Sequence, residues 1–437
     1  MTATIIAATT ALLMILSVLF KPYLSVGKYK VGLYVVVCFF GAVAELLFDG
    51  LSFSDALSGI TADSSVNPLK ILALFLSMTL ISVYLGDSGF FHLVAEKVFS
   101  AKSGKQSKLK LFIILYAVVS ALTVFTSNDI VILTFTPIIC IFCKKAGYPP
   151  LPYLVGEFVA ANTWSMALIV GNPTNVYLAQ SANISFTQYF TVMALPALIA
   201  GVSAFCVLLL IFGKTLLRES PAQPDEGQSR LFVRVNKPCM IVSLVALSGC
   251  IVALALADVI GVEMWLITVI FAAALLIYNI VYGLVSGEGL LRAISGLKKT
   301  PWELAPFIFS MFVIVLAVEH SGALSRITEL LVKSEKSDGA VFGFLAAGLS
   351  NLLNNIPTSV ITEKIIAGKS LAATYGAVIG TNIGAFITPV GALAGIMWNK
   401  ILSGYGVKLP FYKFALYGIA VAAVSLSLSV LALLLVI

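Results

Sequence analysis

Four clusters of small amides, hydroxyls and helix breakers interrupt an otherwise apolar chain of 437 residues. They are Thr126-Ser127-Asn128-Asp129, then Gly171-Asn172-Pro173-Thr174-Asn175, then Asn351-Leu352-Leu353-Asn354-Asn355-Ile356-Pro357-Thr358-Ser359, and finally Gly380-Thr381-Asn382-Ile383-Gly384 running on to Thr388-Pro389-Val390-Gly391. Main chain that leaves a helix inside lipid must satisfy its N–H and C=O groups with protein, water or a ligand. Loosened carbonyls with Asn, Ser and Thr oxygens suit a dehydrated Na⁺, and half-helix N-termini aim partial positive charge at an anion. One Asn, Gly or Pro in such a place only kinks or joins helices. Four clusters, paired by half, argue instead for a site for a small solute and an ion. The candidate binding residues are Ser127, Asn128, Asp129, Gly171, Asn172, Thr174, Asn175, Asn354, Asn355, Thr358, Thr381, Asn382 and Thr388, with Na⁺ at the Asn128 and Asn355 loops.

Asp129 is the carboxylate expected nearest the bilayer centre, where an unpaired charge costs at least about 2.5–3.5 kcal/mol. It is therefore neutral, cation-bound or engaged in coupling, or else it caps the second hairpin arm through backbone N–H groups. Glu157 is expected a few residues inside the membrane edge, as an interfacial acid, and Asp87, Asp258, Glu319 and His320 as solvated groups at span ends. Enzymatic readings find little support. His92 and His320 are the only histidines, and Cys140-x-x-Cys143 has no second pair to complete a zinc set. Gly368-Lys369-Ser370 resembles the end of a P-loop, but Glu363 stands where its first glycine belongs. No enzyme and no organic cofactor is expected.

The elements that must carry these clusters follow from composition. Apolar residues make up 60% of the chain and charged residues 11%, with a mean hydropathy of +1.05. Lipid can cover such a surface and water cannot. Apolar windows long enough for a bilayer recur throughout. Outer-membrane strands are shorter and alternate polar with apolar, which excludes a barrel. The net charge of +7 reflects Lys and Arg in short loops, so nucleic acid is not an expected partner. Residues 4–20 read as a retained first span, because no basic start and cleavage site precede a soluble domain.

The spans fall into two halves of one plan. The first repeat, 1–213, has spans 4–20, 31–48 and 69–86, a broken hairpin 109–146, a broken helix 150–180 and span 188–213. A polar linker, 214–237, follows. The second repeat, 238–437, has spans 238–257, 263–284 and 301–318, a hairpin 339–368, a broken helix 371–402 and span 413–437. Ser88-Gly89 and Ser321-Gly322 close the third span of each half. One helix of 38 residues would be about 57 Å long and overshoot the bilayer. A re-entrant hairpin starting and ending among basic residues fits 109–146 better. Basic residues after the first and third spans, and in the linker, place those loops in the cytoplasm. The acidic loop with Asp49, Asp55 and Asp63 then lies outside, as do both termini. An odd number of crossings between the halves makes the repeat inverted, a mark of many secondary transporters. The expected fold class is an all-α polytopic membrane protein built from an inverted repeat of two five-span units, each with a re-entrant hairpin.

At these motifs the chain resembles the bacterial arsenite-efflux permeases and, more broadly, the ion transporter superfamily. That group includes divalent anion/sodium symporters, citrate permeases, a sodium/proton antiporter branch and silicon exporters. The matching stretches are Gly86-Asp87-Ser88-Gly89-Phe90-Phe91, Asn128-Asp129 with Leu133-Thr134-Phe135-Thr136-Pro137, Asn354-Asn355-Ile356-Pro357-Thr358 and Ile387-Thr388-Pro389-Val390-Gly391. The resemblance implies a scaffold that forms a homodimer and a transport domain that moves like an elevator. It also implies ion-binding loops at Ser127, Asn128, Gly171 and Asn175 in one half, and at Asn354, Asn355, Thr358 and Asn382 in the other. The chain departs from arsenite permeases at Asn162-Thr163, where they are acidic, and at Asn382 and Phe386, where they carry Asp and Lys. The expected function is secondary active transport of a small oxyanion or oxyacid, arsenite-permease-like, coupled to a proton or sodium gradient, in the inner membrane. A Na⁺-coupled importer of di- or tricarboxylates and a sodium/proton antiporter remain the alternatives.

Overall fold

The computed structural model describes residues 2–20, 23–26, 29–48, 51–61, 67–99, 107–218, 235–322 and 337–437. The linker expected at 214–237 falls mostly on 219–234, outside the described residues. In the first half, α1 (Thr2–Phe20) is joined to α2 (Leu33–Phe48) by a two-stranded hairpin, β1 (Tyr23–Val26) and β2 (Tyr29–Gly32), in which Tyr23 pairs with Gly32. Then come α3 (Phe53–Thr61), α4 (Pro68–Asp87) and α5 (Phe90–Phe99). A hairpin of α6 (Lys108–Phe125) and α7 (Asn128–Ala146) follows. Next are α8 (Pro150–Trp164), two short 3₁₀ turns (Ser165–Ala167 and Ile169–Gly171), α9 (Pro173–Ser181) and α10 (Phe186–Leu217). The second half has α11 (Lys237–Ala255), α12 (Ala257–Ile260), α13 (Met264–Val285), α14 (Leu291–Lys299) and α15 (Leu304–His320). A hairpin of α16 (Asp338–Leu353) and α17 (Asn355–Ile366) leads to α18 (Leu371–Gly384), α19 (Leu393–Gly404) and α20 (Phe411–Val436).

Seven described helical segments are long and apolar enough to cross a membrane. The chain is thus a multi-pass α-helical membrane protein. Leu210, Val245, Val252, Ile277, Leu284 and Leu435 lie exposed on α10, α11, α13 and α20, the surface lipid would cover. Inside, one apolar cluster joins α1, α2, α4 and α15 through residues such as Cys38, Phe75 and Phe307. A larger one gathers the hairpins, the broken helices, α10 and α20.

The tightest helix pair is α16 against α18. Gly376, Gly380 and Gly384 face Gly339, Gly343 and Ala347, and a Cβ on any of the three would strike the opposing main chain. Small residues four apart let helices approach at backbone distance, which is how helices associate without a hydrophobic drive. This corrects the reading of the fourth cluster. Gly380, Thr381 and Asn382 do not break a helix; they lie within α18, and the interruption is 385–392. The second break contains Gly171 and Asn172 as expected but begins earlier, since α8 already ends at Trp164 and α9 starts at Pro173. The helices α3, α5 and α14 and the β-hairpin were not expected at all.

Candidate functional site

At the first hairpin tip, Thr126 turns extended after α6 and α7 restarts two residues later. Ser127 occupies the cap position but makes no capping bond, and its buried Oγ has no partner among the described residues. The Asn128 Oδ1 instead accepts from the Asp129 N–H (2.9 Å). Asn128 Nδ2 donates across to Asn162 Oδ1 on α8 (3.1 Å). The Oγ1 of Thr163, next in sequence, is buried and unpartnered among the described residues. An orphaned hydroxyl at a helix N-terminus is what a small cation or a hydroxylated solute would use. Asp129 lies in the first turn of α7, half-buried, and its carboxylate makes no hydrogen bond or ion pair among the described residues. The capping alternative is therefore not realised.

The break after α8 is held by amides. Gly171 packs so closely on the Ser165 carbonyl that any Cβ there would collide with the oxygen. Asn175 Nδ2 donates to the Ser165 carbonyl (2.8 Å) and the Leu168 carbonyl (3.1 Å). Asn172 caps α9, accepting from the Thr174 N–H (3.3 Å). Asn382 of α18 ties this break to the second half. It donates to Asn175 Oδ1 (2.6 Å) and the Val378 carbonyl (2.8 Å), and accepts from Ser165 Oγ and Asn172 Nδ2 (both 3.0 Å). Its amide is saturated, so it joins broken helices. Thr174 Oγ1 bonds weakly to Asn175 Oδ1 (3.5 Å), and Thr381 Oγ1 turns back to the Val378 carbonyl (3.1 Å).

The second hairpin turns on one residue. Asn354 has φ +78° and ψ 153°, a region that is almost reserved for glycine. Its side chain holds it there, with Nδ2 donating to the Val390 carbonyl (3.1 Å). The Asn355 N–H donates to the Gly391 carbonyl (2.9 Å). Hairpin tip and 385–392 break are thus stitched together, with Thr388 Oγ1 donating to Asn351 Oδ1 (2.8 Å). Thr358 Oγ1 is turned back to the Asn354 carbonyl (2.8 Å). The Asn355 side-chain amide, though buried, has no partner among the described residues.

The structure therefore places Ser127, Asn128 and Asp129 at one tip and Asn354, Asn355 and Thr358 at the other, each against a broken helix. Asn382, Asn172 and Asn175 bridge the halves. A cavity of about 470 Å³ opens beside the first tip, lined by Asp129, Thr134 and Pro137 of α7, Thr79 of α4, His92 and Met397 among others. Pro137 cannot donate to the Leu133 carbonyl, which weakens α7 at this wall. Lys299 and Asp87 form an ion pair (2.5 Å) at the same cavity. Asp87 is thus paired, not simply solvated. Glu319 is likewise paired, with Lys364 of α17 (3.1 Å).

Glu157 departs most from expectation. It is fully buried, and both carboxyl oxygens lie 3.0 Å from Thr136 Oγ1. Antiparallel packing of α8 on α7 carries it inward, which span counting could not show. Asn162, Thr163 and Ser165 also belong to the site; their signal was a polar run near the end of an apolar helix. No group of three or more His, Cys, Asp or Glu residues suited to a metal occurs among the described residues.

The citrate transporter family model matches residues 30–377. An arsenical pump membrane protein of Escherichia coli is 27% identical over 391 residues, covering 82% of this chain and 86% of its own. One from Yersinia enterocolitica is 28% identical over 387 residues, with the same coverages, 82% and 86%. Among solved structures, the YdaH transporter of Alcanivorax borkumensis, described as having an unusual topology, superposes with a TM-score of 0.56 at 14% identity, covering 100% of this chain and 98% of its own. That likeness is one of fold.

Proposed function

The chain belongs to the citrate transporter family, and we propose that it is a secondary active transporter of a small oxyanion or oxyacid, arsenite-permease-like, driven by a proton or sodium gradient across the inner membrane. The observation that carries this reading is the pairing of each hairpin tip with a broken helix, leaving the Ser127 and Thr163 hydroxyls and the Asn355 amide without partners among the described residues. A protein that only kinked its helices there would satisfy them. The order hairpin, broken helix, long helix recurs in both halves and supports the inverted repeat. The cavity at Asp129 lies between α4 and α14 on one side and α7 and α19 on the other. Sliding of α7, α8, α17 and α18 past α4 and α15 would carry the tips from one face to the other. Lys299, at the cavity, and Lys298 close the C-terminal end of α14 and favour a cytoplasmic opening.

The similarity to arsenical pump proteins favours arsenite as the first solute to test. The unpartnered hydroxyls favour a second reading, a Na⁺-coupled carboxylate importer, because Ser and Thr oxygens are good Na⁺ ligands. No catalytic role is proposed. The test is solute flux in reconstituted vesicles. Arsenite efflux driven by a pH or Na⁺ gradient supports the first reading, and Na⁺-dependent citrate uptake the second. Proton–sodium exchange with no solute present would replace both.

A further inference from the structure

Glu157 sits apart from the solute site. Thr136 Oγ1 lies 2.6 Å from the Ile132 carbonyl and 3.0 Å from each Glu157 oxygen. A threonine hydroxyl has one hydrogen. The shortest contact, to the Ile132 carbonyl, takes it, because a carbonyl brings none. The remaining contact is then a hydrogen bond only if Glu157 carries the proton and donates to Thr136 Oγ1. An ionised Glu157, fully buried and with no ion pair among the described residues, would have only that shared hydroxyl and the neighbouring Trp398 indole N–H as side-chain donors.

Resting on the transport reading above, we infer that the Glu157–Thr136 contact is a proton-binding site, and that its proton is the coupling ion of the transport cycle. Among the described residues the elements packed on α8 offer no other carrier of charge to this carboxyl; on α20, whose Phe414 packs on Phe158, the adjacent Lys413 is exposed. From α7 the thiol of Cys140 lies near it. From α6, Lys108 is directed to the Arg218 carbonyl and the Tyr148 ring, and the Tyr116 hydroxyl to the Gly201 carbonyl. From α10 the ionisable Cys206 is exposed. From α18, Tyr375 points to the Gln188 carbonyl. From α19 the buried Trp398, its ring 5.0 Å from Phe158, brings an indole N–H near the carboxyl that closes no hydrogen bond among the described residues. The 3₁₀ turn at Ser165–Ala167 brings no titratable group.

The position explains how a proton could act on the solute. α7 and α8 are cross-linked twice, by Asn128–Asn162 at the tip and by Thr136–Glu157 eight residues along α7, about 12 Å away. Deprotonation forces Thr136 to abandon the Ile132 carbonyl, or Glu157 to seek the Trp398 N–H. Either shift changes the packing of α7 on α8 and reaches the Asn128–Asn162 bond. A protonated carboxyl serving only to join helices would not titrate during transport.

The test uses purified full-length protein, in detergent for infrared spectroscopy and in vesicles for flux. A protonated-carboxyl carbonyl band that is absent in Glu157→Gln and disappears on raising pH supports the inference. No Glu157-dependent band overturns it, as does a band that persists into strong alkali. With arsenite as the probe, Glu157→Gln should lose at least tenfold of pH-gradient-driven flux, while counterflow remains and no longer varies with pH. Full gradient-driven flux in Glu157→Gln would overturn the inference. Wild type that carries no arsenite refutes the solute proposed above, and the infrared titration then decides the proton-binding site alone; if Glu157→Gln does not fold, the wild-type band is assigned by its shift in Thr136→Val, which removes the carboxyl's partner, and a band unmoved there overturns the inference.

Discussion

Replacing Asn355 by alanine separates a binding role from a structural one. The Asn355 amide makes no hydrogen bond among the described residues, so truncation strands no partner. Its N–H to the Gly391 carbonyl is main chain and survives the change. Alanine also suits a helix better than asparagine by up to about 0.7 kcal/mol. Stability should therefore shift by no more than about 0.5–1 kcal/mol in either direction. A hydrogen bond or ion contact from this amide to a charged ligand is worth about 1.5–3 kcal/mol, which is about 10- to 150-fold in affinity. Asn382→Ala provides the contrast. That side chain bonds Asn175, Ser165, Asn172 and the Val378 carbonyl, and stranding buried partners costs about 1–3 kcal/mol each. Melting temperature in detergent and arsenite flux in vesicles should be measured on both variants. Asn355→Ala should keep its melting temperature and lose flux, and Asn382→Ala should lose both. Wild-type flux and KM in Asn355→Ala would refute the placement of the site at the second hairpin tip.

Other changes test neighbouring parts of the argument. Gly171→Ala drives a methyl into the Ser165 carbonyl that Asn175 also binds; overpacking should cost about 1–3 kcal/mol, read as a lower denaturation midpoint together with reduced flux. Asn354→Ala should be less stable than Asn354→Gly by about 1–3 kcal/mol, because φ +78° with ψ 153° strains any Cβ; equal melting temperatures would argue that the tip relaxes. Lys299→Glu, at an ion pair whose lysine is exposed and whose Asp87 is largely buried, should lower stability by about 1–3 kcal/mol. It should also raise the KM for an anionic solute, and the effect should fade as salt is added.

Much of the architecture was legible in the sequence because lipid imposes a simple rule. Each span must close its own backbone hydrogen bonds, so apolar length alone marks α4, α10, α13 and α20. The tips at Ser127 and Asn354 were legible for the complementary reason: polar residues and helix breakers inside apolar runs have few other uses. Partners were not legible. Gly380 and Gly384 look like breakers in one dimension, yet they are contact points where α18 meets α16. Asn382 looks like a ligand and spends its amide on Asn172, Asn175 and Ser165. Glu157 looks interfacial, yet α7 covers it and Thr136 binds it. Sequence marks where a polar group is costly to bury, whereas only the packing of distant helices decides whether that cost is met by another side chain or left for a ligand or a proton to meet.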